Sequence, residues 1–483
     1  MIRGAPLNGQ LRPKRLMGGG LRLTACLLLA AASAHADDAV RPIVVEEVTV
    51  VDVESGQLLP HRTVMVDGAK IAVIAASHDF KAPEGALVIP GAGKYLIPGL
   101  WDMHVHLEQR MPALLDLFLA NGVTGIRDLN SEAHLFEWRD EIQTGKRLGP
   151  RIVASGLYLD AARSDQPPTR PAANTPEQAR ELVRQRKLQG VDLIKVYSGL
   201  RPDVYRAIVE EAQAQHLPVA GHCPEMVPAG EASALGQRSI EHLTGIAVST
   251  SRKEDALRKE LREAFTDPRA GYDTERMFRT TTAAMETPDD KKRAELFDLF
   301  KRNRTWQVPT LIVQRPSHAA AEPDPRMKYM HPVLTQLWSR IQGSPQFQAV
   351  RKAQFEYAQP VVRALHEAGA PILAGSDCGA ILSVNVYPGF SLADELALLV
   401  DCGLAAADAL RAATLNPALY LGEEETCGTV AVGKVADLVL LDADPLADIG
   451  NVRKIAGVMV RGQWLPRAEL DRMLSSAAQA ASE

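Results

Sequence analysis

Apolar and polar positions alternate differently along three parts of the chain. Ile43–Asp52 is valine-rich and strand-like. Thr63–Val66 and Lys70–Ala75 flank Asp67-Gly68, a strong hairpin signal. Near the C-terminus, Ala436–Asp442 and Ile455–Arg461 are again apolar and β-branched, joined by a Pro-containing loop. Between these ends the pattern alternates strand and helix. The run ending at His106 is the first strand; Val123–Asp128, Arg151–Gly156, Asp192–Tyr197, Pro218–Cys223, Ser239–His242, Gln307–Val313 and Pro371–Asp377 follow it. Helical stretches such as Pro176–Gln189, Pro202–Gln215 and Gln348–Ala368 separate them, and Pro360 is expected to kink or split the last. Eight such repeats predict an α/β fold, a (β/α)8 TIM barrel. The other arrangement, an open doubly wound sheet, lacks a Gly-x-Gly-x-x-Gly turn after any early strand.

The expected organisation is a barrel over 98–425 and a small β-sandwich domain assembled from 37–97 and 426–483. A charged, helical-looking insertion over about 249–304 follows strand six, where loops shape access to the mouth. The first 36 residues stand apart. Arg3, Arg12, Lys14 and Arg15 precede the apolar run Leu23–Ala34, and Ala34-His35-Ala36 offers a cleavage site. This pattern predicts a signal peptide cut after Ala36 and a periplasmic or secreted protein. Leu23-Thr24-Ala25-Cys26 resembles a lipoprotein box, but the apolar run continues past Cys26. No later segment is long and uncharged enough to span a bilayer.

A net charge of −5 with no basic stretch in the mature part argues against nucleic acid as a partner. Cys223, Cys378, Cys402 and Cys427 are too scattered for a disulfide framework. Cys223 and Cys378 each follow a candidate ligand, so they are expected to face packing between strands and helices.

The chemistry gathers at strand ends. His104 and His106 are two residues apart where the first strand stops, so both imidazoles share a face and can grip one cation. Lys195, in Leu193-Ile194-Lys195-Val196-Tyr197, lies inside an apolar strand. His222, His242 and Asp377 end strands five, six and eight, and in a barrel all six residues converge on one mouth. Lysine is poorly placed in such a strand unless paired. Burial lowers its pKa, and a neutral amine adds carbon dioxide to give a carbamate, an anionic ligand able to bridge two metals. The competing role is an ion pair with substrate or a neighbouring acid.

This set resembles the amidohydrolase superfamily in its binuclear form, across nearly the whole mature chain. The segment from Pro98 to His106 is similar to that family's first-strand signature, and Gly433–Val439 to its C-terminal sheet signature. Ile194–Tyr197, Gly221-His222 and Ser239–His242 resemble the imidazolonepropionase-like and Xaa-Pro dipeptidase-like branch. The resemblance implies that His104, His106 and Asp377 hold one divalent ion, with zinc the expected metal, and that His222 and His242 hold a second. Carboxylated Lys195 and a hydroxide would bridge the two. Asp377 would pass the hydroxide's proton to a leaving amine, or serve as ligand only. Tyr197, on the face of Lys195, matches a tyrosine that contacts substrate in that branch; rim packing is its other role. Arg127-Asp128 reads better as an internal ion pair than as a substrate contact, and Trp306 with Pro309-Thr310 is expected to wall the pocket.

The implied activity is cleavage of an amide C–N bond in dipeptides or N-acyl amino acids, with a small-molecule or dipeptide partner and a homo-oligomeric state. Hydrolysis of cyclic amides, lactones or phosphoesters on the same centre, or a binding protein without catalysis, are the alternatives.

Overall fold

The computed structural model describes residues 41–108, 111–162, 171–264, 274–316 and 324–482. The expected leader and its cleavage site lie outside the described residues. Five strands come first: β1 (Ile43–Asp52), β2 (Gln57–Asp67), β3 (Lys70–Ala76), β4 (Leu87–Pro90) and β5 (Tyr95–Pro98). Seven follow in the middle: β6 (Leu100–Val105), β7 (Val123–Asp128), β8 (Arg151–Ala154), β9 (Ile194–Val196), β10 (Val219–Gly221), β11 (Gln237–Glu241) and β12 (Trp306–Val308). The last are β13 (Leu438–Leu441), β14 (Ile455–Val460) and β15 (Gln463–Pro466). With helices between most of the middle strands, the fold is mixed α/β.

Both ends of the chain build one sheet, in the order β15-β14-β13-β5-β1-β2-β3, with β4 also paired to β1. Asp67 and Lys70 close the β2–β3 hairpin, and Gly68 supplies a φ of +54° that a side chain would resist. Period-two alternation divides β13 between two cores. Leu438 and Leu440 pack with Val45, Val48, Val64 and Leu96, whereas Val439 and Leu441 join Ile97 in the main core.

The middle strands form two parallel sheets, β6-β7-β8 and β12-β11-β10-β9. Backbone hydrogen bonds continue beyond both. Leu159 N–H donates to Lys195 O (2.8 Å) and Tyr197 N–H to Leu159 O (3.0 Å), linking the segment after β8 to β9. Gln307 N–H donates to Pro371 O (2.8 Å) and Leu373 N–H to Gln307 O (2.9 Å) on one side of the 371–378 segment. Met103 N–H to Ala374 O (2.9 Å) and Asp377 N–H to His104 O (2.7 Å) lie on its other side.

Two expected strands are corrected. Pro371–Asp377 is not a regular strand: Gln307 bridges Ile372, but Ala374 N–H turns out of the ladder to Ala412 O (2.9 Å), and Asp377 turns away at φ +60°. Gln307–Val313 stops at Val308: Pro309 breaks the ladder, Thr310 sits at φ +49°, and Leu311–Gln314 becomes a short helix. Pro360 lies inside the helix Pro345–Ala368 without ending it. Within 249–304, the helices Glu254–Ala264 and Thr274–Met285 share a small core of Met226, Val248, Leu261, Met277 and Ala284. The helix Asp290–Asn303 instead buries Leu296, Phe297 and Phe300 in the main core. Among the described residues, no helix is long and apolar enough to cross a membrane.

Candidate metal centre

β6 and the 371–378 segment bring the first donors together. His104 Nε2 lies 3.1 Å from His106 Nε2, and each lies 3.1 Å from Asp377 Oδ1. One donor atom each from His104, His242 and Asp377 also falls within a mutual 4.8 Å. The remaining imidazole nitrogens are mostly occupied from behind. His104 Nδ1 meets Glu241 Oε2 at 2.8 Å, His222 Nδ1 meets Ser198 Oγ at 2.8 Å, and His242 Nδ1 meets Thr310 Oγ1 at 2.6 Å. A carboxylate only accepts, so Glu241 fixes the proton of His104 on Nδ1 and leaves Nε2 with a lone pair.

The rings of His104 and His242 lie 4.6 Å apart, those of His222 and His242 5.0 Å. Tyr197 stacks on His222 at 4.0 Å, and Tyr158 on Tyr197 at 4.5 Å, forming an aromatic wall beside the second pair of histidines. His242, Leu243, Thr310 and Asp377 all have positive φ, an uncommon conformation for side-chain-bearing residues that concentrates at working sites.

Lys195 is buried, and its Nζ has no hydrogen-bond partner among the described residues. Burial is the main reason its pKa falls to about 8. Burial, helped by the Lys195 ammonium and His242, holds His222 well below the usual imidazole range, and His242 falls to about 3, again chiefly through burial. Burial opposes the charge on Asp377, but His104 and His242 outweigh it and keep the carboxyl ionised. Neutral His222 and His242 and an ionised Asp377 are in the protonation states a metal requires, whereas burial of His106 is outweighed by the hydrogen bond and charge of Asp377, which raise its pKa, and an ion would displace that proton.

The donor set fits a divalent cation. His104 Nε2, His106 Nε2 and Asp377 Oδ1 crowd within 3.1 Å, and bonds of about 2.1 Å to one tetrahedral ion place ligand atoms roughly 3.4 Å apart. The Lys195 Nζ, without a hydrogen-bond partner among the described residues, is near enough for its charge to act on His104, His106, His222 and His242.

Several supporting residues escape sequence reasoning. Asp102 accepts from Ser376 N–H (2.8 Å) and Ser376 Oγ–H (2.6 Å), lashing β6 to the 371–378 segment; burial pushes its carboxyl up to about 7. Glu241 also accepts from Arg127 Nη2 (2.9 Å) and Ser239 Oγ (2.6 Å), and Arg127 donates through Nε to Met103 O (2.7 Å). Arg127 is thus in an internal ion pair, while Asp128 accepts from Leu107 N–H (2.7 Å) and fixes the chain just past His106. Period-two spacing of Ser239 and Glu241 was the available signal for a second polar face on β11. Trp306 does not wall the pocket: it begins β12, packs edge-on to Tyr420 and joins the apolar cluster with Trp101 and Met103. Thr310, beyond the other end of β12, does reach the site. Cys223 and Cys378 are buried free thiols.

The amidohydrolase family model matches residues 356–465. Adenine deaminase 3 of Rhizobium meliloti (strain 1021) is 25% identical over 236 residues, covering 44% of this chain and 38% of the deaminase. The chain therefore spans well under half of that curated relative. A solved protein from Bifidobacterium longum, provisionally assigned as a prolidase, is 27% identical with a TM-score of 0.66, over 91% of this chain and 99% of its own. A Xaa-Pro dipeptidase solved with methionine in its active site is 21% identical with a TM-score of 0.64, over 88% of this chain and 100% of its own, a likeness of fold.

Proposed function

We propose that this amidohydrolase-like chain is a metal-dependent hydrolase that cleaves an amide C–N bond in a dipeptide, Xaa-Pro dipeptides included, or in an N-acyl amino acid. The observation that carries the reading is the convergence of His104, His106 and Asp377 at 3.1 Å beside the unpartnered Lys195. His104, His106 and Asp377 would hold one divalent ion, His222 and His242 a second, with a carbamate on Lys195 between them. Such ions supply an acidified water and polarise a carbonyl, and zinc suits the donors.

Asp377 takes the water's proton on its carboxylate and hands it to the departing amine, which cannot leave without it. Tyr197, held against His222, lines the approach to the carbonyl. A closed (β/α)8 barrel over 98–425 is the architecture proposed for this site, supported by the backbone hydrogen bonds on both sides of 371–378. The mixed sheet of β1–β5 and β13–β15 is its companion domain, and export to the periplasm after cleavage at Ala36 is the proposed location.

The test is metal content per chain of protein purified with bicarbonate, alongside amine release from dipeptides and N-acyl amino acids. Two ions per chain with free amino acid released is the expected result. Ammonia released from adenine, but nothing from the amides, would replace this reading with deamination. Turnover confined to lactones or phosphoesters would also overturn it, and bound metal with no turnover on any substrate would favour a binding protein.

A further inference from the structure

Four arginines among the described residues are less than a tenth exposed: Arg127, Arg186, Arg258 and Arg351. Arg127 is paired with Glu241 and Arg258 with Glu254. Arg186 donates to Leu157 O and Gln189 Oε1. Arg351, on the helix Pro345–Ala368 and only 8% exposed, has neither arrangement. Its guanidinium lies 4.7 Å over the Phe347 ring and, among the described residues, donates once, from Nη2 to Leu382 O at 3.0 Å, with no carboxylate of those residues within 4.0 Å. A guanidinium carries five N–H donors, and burying the charge without a counter-charge is costly.

The position of this cation ties it to the metal centre. Leu382 adjoins Ser383, whose Oγ–H donates to Asp377 Oδ2 at 3.1 Å. Among the described residues, Asp377 is the charged group that offsets the burial of Arg351, and its carboxylate is committed to the donor set. The loop after Asp377 has a second anchor, Trp338 Nε1–H to Ile381 O at 3.0 Å, so Arg351 is not alone in holding it.

We infer that Arg351 is a specificity-determining residue that receives a carboxylate of the substrate, so that the preferred substrates are amides bearing a free carboxylate rather than neutral amides. This rests on the hydrolase reading above and names the residue that recognises the carboxylate its substrates share. A planar guanidinium matches a carboxylate with paired hydrogen bonds, which a lysine in its place reproduces only as a point charge.

The experiment compares wild type, Arg351→Gln and Arg351→Lys, all with metal content measured. Each is assayed on N-acyl amino acids and dipeptides and on their C-terminal amides. Binding of N-acetyl-L-alanine and of its amide is followed by calorimetry, which requires no turnover. Wild type is expected to favour the acids. Arg351→Gln should raise KM for the acids about 10–100-fold with kcat little changed, as loss of charge-assisted hydrogen bonds predicts, and leave the amides unaffected. Arg351→Lys should recover part of the loss.

An acid-to-amide ratio unchanged by Arg351→Gln overturns the assignment, as does an equal loss of kcat or metal on both substrate sets, the mark of a structural role. Wild type that binds N-acetyl-L-alanine no better than its amide overturns it too. If Arg351→Gln does not fold, the ratio in Arg351→Lys decides. No hydrolysis of any amide, with N-acetyl-L-alanine binding still dependent on Arg351, would discard the hydrolase reading and keep this one.

Discussion

Glu241→Gln separates the two duties of one buried carboxylate. Glu241 touches His104 Nδ1 at 2.8 Å and Arg127 Nη2 at 2.9 Å, and all three side chains are fully buried. Burial disfavours its charge, but Arg127 and His104 outweigh burial and hold the carboxyl below the usual range. In the glutamine variant the amide oxygen can still accept from Arg127 and Ser239. Its NH2 then faces His104, and Nδ1 must become the acceptor. The proton moves to Nε2, the atom 3.1 Å from Asp377 and His106, and His104 can no longer ligate in that tautomer.

Breaking one side of a buried ion pair costs about 3–5 kcal/mol, and the retained hydrogen bonds favour the lower figure. Loss of a ligand-orienting partner costs about 10–100-fold in metal affinity, or roughly 1.4–2.7 kcal/mol. Urea unfolding of metal-free protein reads the first quantity, and competition with a chromophoric chelator reads the second. The double variant Arg127→Met/Glu241→Met removes both charges, so it should regain most of the stability without regaining metal affinity. Glu241→Gln with wild-type metal affinity would refute the tautomer argument. A double variant as unstable as the single would refute the ion-pair account.

Three further outcomes are expected. Lys195→Ala should lose much of the bound metal and most activity; a variant with full metal and turnover would remove the bridging role. Gly375→Ala should destabilise the protein by about 1–3 kcal/mol, because a Cβ there would meet His104 Cβ and Val308 Cγ1 at 2.8 Å; an unchanged urea midpoint would contradict that packing. Glu395 accepts from Leu311 and Ile312 N–H, but burial dominates and raises its carboxyl from the ordinary 4.5 to about 8. The folded state therefore holds a proton that the unfolded chain has lost across that range. Its contribution to stability is full below about pH 4.5 and disappears as pH rises to about 8. Urea midpoints measured from pH 5 to 8.5 should fall less in Glu395→Gln than in wild type, and parallel curves would show another group responsible.

What the sequence made legible was whatever repeats at short range. His104 and His106 announce themselves by a two-residue spacing at the end of an apolar run, and Lys195 by its charge inside one. The hairpin at Asp67-Gly68 and the terminal strands were readable for the same reason. Asp102 was not, because its purpose is Ser376, a partner supplied by a distant segment. Glu241 stood in plain view beside His242, but its link to Arg127 and His104 depends on three strands meeting. The two misread strands have a common cause. Apolar content persists through Pro371–Asp377 and Gln307–Val313, while diverted or missing N–H groups and positive φ angles, which hydrophobicity does not record, decide where extension ends. Trp306 was expected to wall the pocket, but it begins β12, at the end away from Thr310, and packs in an apolar cluster instead.

The sheet shared by the two ends of the chain sets a schedule for synthesis. β5 pairs with β1 on one side and with β13 on the other, Pro98 opposite Leu438. A ribosome delivers β1–β5 early, so the β13 side of β5 stays unpaired until nearly the whole chain has emerged. An open, apolar strand edge of this kind recruits neighbours and is a point of entry for aggregation. A truncation that removed β13–β15 would leave the metal ligands in the chain yet expose that edge permanently. The C-terminal strands thus act as the final latch of assembly, and damage there would appear as insolubility before it appeared as lost catalysis.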